Sequence, residues 1–103
     1  MKNMSISKTL LKCLHEKKYA DLPSSLGRRF DIDAAYQVAI EICEARILQG
    51  EQLEGIKIGF TNMNIWKQYN INVPIFGPMY SSTIINYKDK LNINKYLEPK
   101  FEP

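Results

Sequence analysis

One long helix sets the terms for this chain. The stretch from about Ile32 to Gln49 reads as helical, with Asp31 placed to cap its start and Gly50 to stop it. Apolar side chains recur from Ile32 to Leu48 over more than one face, and only Asp33, Gln37, Glu41 and Glu44 form a clear polar line. A surface helix needs one apolar stripe; a helix this apolar needs neighbours on several sides. A chain of 103 residues has little material to supply them. The expectation is that another chain, or more polypeptide, completes the packing.

Composition narrows the classes. Hydrophobic residues make up 45% and charged residues 24%, as in an ordinary globular chain of one small domain. There is no apolar run near the roughly 18 residues that a membrane span requires. The basic N-terminus lacks the apolar centre of a secretory signal, and Glu16 with no arginine before residue 20 argues against a transit peptide. The expected compartment is therefore cytoplasmic. A net charge of +3, from 14 basic and 11 acidic residues, is too mild to imply nucleic acid. Lys17-Lys18 and Arg28-Arg29 read as solvated surface. Cys13 and Cys43 fit no metal-type spacing and read as reduced, packed thiols, while His15 stands without a second ligand nearby.

Along the chain, residues 5–19 read as an amphipathic helix on the spacing of Ile6, Leu10, Leu11 and Leu14. Pro23, Ser24, Ser25 and Gly27 mark a connection. After the long helix comes Gly55-Ile56-Lys57-Ile58-Gly59-Phe60-Thr61-Asn62. As a strand it would place Ile56, Ile58 and Phe60 on a core-facing side and Lys57, Gly59 and Thr61 on the other. Gly59 leaves open space beside the lysine. Thr61 or Asn62 can cap a short helix through about Tyr69, whose first N–H groups would be free. A lysine, a gap and a helix start could cradle a carboxylate or phosphate. The same residues also read as a surface lysine on an edge strand followed by an ordinary turn. Ile75 to Tyr80 is a short extended stretch interrupted by Gly77 and Pro78, and residues 83–87 and 91–97 read as strands.

Taken in order, Asp33-Ala34-Ala35-Tyr36-Gln37, Ala45-Arg46-Ile47-Leu48-Gln49-Gly50-Glu51, Gly55 to Thr61 and Pro74-Ile75-Phe76-Gly77 resemble the N-terminal part of the 2-keto-4-pentenoate hydratase family. That family includes 4-oxalocrotonate decarboxylase and lies within the fumarylacetoacetate hydrolase superfamily. The tail from Glu98 to Pro103 looks like the approach to the family's acidic metal-binding strand.

The resemblance implies a Mg2+- or Mn2+-dependent lyase of aromatic catabolism acting on 2-oxo or 2-hydroxydienoic acids, by hydration or by decarboxylation. It implies that Lys57 is catalytic, that Gly59, Thr61 and Asn62 bind substrate, and that Glu102 is the first metal-binding glutamate. Asn62 stands where the family commonly has serine, and Ser82-Thr83 where it more often has an acidic residue and methionine. One glutamate does not hold a hard dication, which takes about six oxygen ligands; metal binding by this chain alone is not expected. The implied fold class is α+β: residues 1–80 an N-terminal helical segment, residues 81–103 the opening of a mixed β-sandwich-like roll, incomplete in itself. The implied partners are the small-molecule acid and either further copies of the chain or a C-terminal part. Nucleic acid and membrane are not expected. A non-catalytic remnant docking on a full-length homologue is the alternative from a different class.

Overall fold

A computed structural model describes residues 5–26 and 29–102, without the side chain of Leu26. Gly27 and Arg28, read above as part of a connection and of a surface pair, lie outside the described residues, as does Pro103. The chain is α+β, with two α-helices, short 3-10 turns and one two-stranded antiparallel sheet. It divides into two compact units, one of residues 1–45 and 85–103, the other Arg46–Ile84.

In the first unit, α1 spans Ile6–Glu16. Ser5 caps it by accepting from the Lys8 amide, and Lys17 ends it in the left-handed region at φ 54°. The Lys18 amide then reaches back to the Cys13 carbonyl at 2.9 Å, the six-to-one closure that satisfies an orphan carbonyl. Leu11 and Ser7 are buried on the inner face, whereas Leu14 is exposed. The Lys17 ammonium donates to the Asn94 carbonyl at 2.9 Å, tying α1 to the C-terminal segment within this unit.

Helix α2 spans Ile32–Leu48, as the caps foretold. The Asp31 carboxylate accepts from the Ala34 amide at 2.9 Å. Gly50 takes φ 94°, a conformation glycine adopts without a Cβ penalty, and the Glu51 amide closes onto the Arg46 carbonyl at 3.0 Å. No residue of α2 is buried, and Ile32, Ile40, Ile47 and Leu48 are exposed. The apolar girth read from the sequence is therefore only partly covered: Tyr36, Val38, Ile42 and Cys43 are half-buried.

The expected strands at 83–87 and 91–97 do not form. Ser81–Thr83 and Ile93–Lys95 are 3-10 turns, and irregular chain fills the rest. The reason is local. The side chains of Asn86 and Asn92 accept from the amides of Lys88 and Asn94 at 3.0 Å, capturing donors that a ladder would need.

The second unit is built on β1, Leu53–Gly59, paired with β2, Ile75–Tyr80. Lys57 faces Gly77, Ile58 faces Phe76, Ile56 faces Pro78 and Gly59 faces Ile75, with an irregularity between Leu53 and Gly55. Tyr80 is the buried residue of this unit. Ile56 and Ile58 are each 65% exposed, so the side expected to face a core faces none here. A two-stranded sheet has no second layer to cover both faces. The alternation also stops at Gly59. Phe60 turns to φ 57°, leaves the strand, and packs edge-on against Tyr69 with ring centroids 5.3 Å apart. The indole N–H of Trp66 donates to the Phe60 carbonyl at 2.8 Å and holds that turn.

Candidate functional site: a cationic groove on the β1–β2 sheet

Pairing places Gly55, Lys57 and Gly59 of β1 on one face with Met79, Gly77 and Ile75 of β2. Lys57 is thus the single charged side chain on that face, with a glycine on each side along its strand and a third glycine opposite. A Cβ built on any of these three glycines would meet nothing within 4 Å. The result is an open groove of about 350 Å³, lined by Lys57, Gly59, Gly77 and the flanking Ile75, Phe76 and Met79. Backbone is bare on three sides of an exposed ammonium. A flat organic anion could lie against that backbone with its charge at Lys57, since no side chain holds it off.

The remaining candidates sit differently. Thr61 and Asn62 are exposed and come after the left-handed turn at Phe60, which breaks the shared face expected for Lys57, Gly59 and Thr61. Asn62 does act as a cap, accepting from the Asn64 amide at 3.1 Å. The helix expected through Tyr69 is only the 3-10 turn Met63–Ile65, continued by turns to Asn70. Three-residue bonds close it: the Ile65 amide to the Asn62 carbonyl at 3.2 Å and the Trp66 amide to Met63 at 3.3 Å. So short an element carries little dipole, and one of its few donors, the Asn64 amide, is spent on Asn62 itself. The cradle is therefore a lysine framed by glycine backbone, without a helix start to reinforce it.

Glu102 belongs to the other unit. It is exposed and lines a cavity of about 460 Å³ together with Glu98, Lys100, Leu91, Ile93 and Tyr96. Among the described residues no three His, Cys, Asp or Glu side chains converge as a metal would require. Nearby, Glu98 accepts from the Tyr19 hydroxyl, and that hydrogen bond, with a lesser contribution from burial and the carboxylate charge, raises the Tyr19 pKa above 10.0. Cys13 and Cys43 are free and half-buried, and His15 is exposed.

The sequence pointed to Lys57 but not to the ion pair at the open end of the same sheet. Arg46, in the last turn of α2, donates from Nε to Glu51 Oε2 at 2.6 Å and from a terminal nitrogen to Oε1 at 2.8 Å. The Ser82 hydroxyl also donates to Glu51, and the guanidinium lies 3.8 Å from the centre of the Tyr80 ring. The signal was the Gly50 stop: the turn it makes folds Glu51 back onto Arg46, five positions earlier.

Fold and groove together define an α+β chain that presents a lone cation on a bare-backbone sheet face. Two curated proteins show the same kind of likeness that the sequence motifs suggested. The chain is 26% identical over 80 residues to a 2-hydroxypent-2,4-dienoate hydratase of Pseudomonas putida, covering 77% of this chain and 36% of the relative. It is 28% identical over 72 residues to the TodF product hydratase of Pseudomonas putida strain F1, covering 70% of this chain and 27% of the relative. The resemblance to the hydratases is thereby supported from outside the motifs, at low identity. The chain spans about a third of the length of these relatives. No family model matches it. No helix among the described residues is long and apolar enough to cross a membrane.

Proposed function

We propose that this chain is the N-terminal portion of a divalent-metal-dependent hydratase, a cytoplasmic lyase that adds water to 2-hydroxydienoic or 2-oxo-enoic acids in aromatic catabolism. The observation that carries the reading is the placement of Lys57 among Gly55, Gly59 and Gly77, in a chain similar to two hydratases. A conjugated acid is flat and anionic. Lying over the glycines, it would bring its carboxylate and 2-oxygen to the ammonium. Negative charge that develops on those oxygens as the conjugated system reacts would be stabilised by a cation already in place. Thr61 and Asn62, just past the Phe60 turn, are the proposed polar contacts for the acid. Decarboxylation would draw on the same charge stabilisation; the hydratase names of both relatives favour water addition.

The metal fits this chain poorly. Mg2+ or Mn2+ needs about six oxygen ligands and usually more than one carboxylate. Glu102 is the proposed first ligand, and only Glu98 shares its cavity among the acidic groups. The ion's remaining ligands, and the oligomeric or C-terminal surface that would cover α2, are proposed to come from outside these residues.

The test is Lys57→Ala in a complete protein carrying this segment, assayed on 2-hydroxypenta-2,4-dienoate. Turnover is expected to fall by about a hundredfold or more, with the circular dichroism spectrum unchanged because the side chain is exposed. Undiminished turnover would remove Lys57 from the mechanism.

A further inference from the structure

The β1–β2 ladder has few of the usual means of fixing its register. Burial chooses weakly between alignments, because nearly every residue of β1 and the start of β2 are exposed, and the one buried residue of the ladder is Tyr80 at its end. Gly55, Gly59 and Gly77 add no cross-strand packing. No tight turn sets the pairing either, since residues 60–74 separate the strands. Pro78 opposes only those odd slips in which β2 turns over. It cannot donate to a ladder, and turning the strand would bring its nitrogen to face β1. Slips by two residues keep Pro78 harmless, and they would set Lys57 opposite Ile75 or Met79 instead of Gly77.

We infer that Arg46 and Glu51 form a preassembled clasp that selects the observed register, and that Glu51 is thereby a positioning residue for Lys57. The pair is local, five positions apart across the Gly50 turn, so it exists whatever β2 does. It holds the end of β2 at two points: the Ser82 hydroxyl on the Glu51 carboxylate, and the Tyr80 ring under the Arg46 guanidinium. Between them the Ser81 amide donates to the Gln52 carbonyl at 2.9 Å. A two-residue slip would move Ser82 by about 7 Å along the strand, which parts all three at once. The Leu53–Gly55 irregularity lies directly between this clasp and the regular ladder, where an extra residue bends the strand into reach. The inference concerns alignment alone and stands whether or not Lys57 meets a substrate.

Solution NMR on the full chain tests it. In the unmodified protein, cross-strand nuclear Overhauser effects are expected between Lys57 and Gly77. Glu51→Ala is expected to add or substitute effects from Lys57 to Ile75 or Met79. Glu51→Gln, which still accepts from Ser82, is expected to restore the single Lys57–Gly77 set. A folded Glu51→Ala protein that keeps the Lys57–Gly77 alignment alone overturns the inference. Should Glu51→Ala fail to fold, Ser82→Ala decides, since Ser82 is exposed. There the Ser81 amide is expected to exchange about tenfold faster or more, and an unchanged exchange rate overturns the inference equally.

Discussion

Removing the Arg46 side chain should damage the Arg46–Ile84 unit more than any other single exposed or half-exposed charge. Arg46 is 13% exposed and Glu51 21%, so the pair is mostly out of water. Breaking a fully buried pair costs roughly 3–5 kcal/mol, because the surviving charge is left without its partner. A surface pair is worth about 0–1 kcal/mol. At these exposures Arg46→Ala belongs nearer the buried limit, at about 2–3 kcal/mol, including about 0.5–1 kcal/mol for the stack on Tyr80. Arg46→Lys keeps the charge but loses the two-pronged fork and the planar stack, and should cost about half as much. Trp66 is the only tryptophan and lies in this unit, so its fluorescence tracks urea unfolding of the unit directly. With a slope of about 1 kcal/mol per molar urea, Arg46→Ala should lower the midpoint by about 2–3 M or abolish the transition. A loss below about 0.5 kcal/mol, the scale of an ordinary surface substitution, would refute the view that this pair is a low-dielectric clasp.

Single contacts have testable consequences of their own. Trp66→Phe removes the indole donor from the Phe60 carbonyl and should cost about 1 kcal/mol in urea unfolding monitored by circular dichroism; an unchanged midpoint would mean that the left-handed Phe60 turn is held by other means. Tyr19 should titrate above 10.0, and Glu98→Gln should bring it back toward that value in absorbance at alkaline pH, since the hydrogen bond to Glu98 is the main cause of the shift. The sign is that of a raised folded pKa: the stabilisation is present below the unfolded pKa and is lost as pH rises through the folded one. A Tyr19 titration indifferent to Glu98→Gln would place the cause elsewhere. Exposed Ile56, Ile58 and Phe76 should bind a hydrophobic dye, with fluorescence reduced by Ile58→Lys; a chain that binds none would show that face to be covered in solution.

Elements with strong local chemistry were legible in the sequence. Asp31 starts the long helix and Gly50 stops it. These depend on a single residue and the backbone within a few positions of it, a capping side chain at Asp31 and a free φ at Gly50, which spacing records. The strands expected at 83–87 and 91–97 failed for a local reason as well: Asn86 and Asn92 bind their own following backbone, and a pattern of apolar residues does not weigh that competition. The helix expected through Tyr69 was overstated in the same way, because capping by Asn62 starts a turn without supplying residues that propagate it.

The site divides along the same line. By itself the sequence determined that Lys57 has small neighbours along β1, because alternation is a property of one strand. It also determined that α2 is too apolar for a chain of this size to cover, and the exposed Ile32, Ile40 and Leu48 are the result. Only the tertiary structure decided that Gly77 stands opposite Lys57, that Phe60 turns out of the strand, and that Arg46 and Glu51 meet Ser82 and Tyr80. The Phe60 turn is held by Trp66 and Tyr69 a few positions on, and the others are pairings between segments far apart in sequence. Which residue faces which depends on register, and register is settled by the whole set of cross-strand and clasp contacts at once.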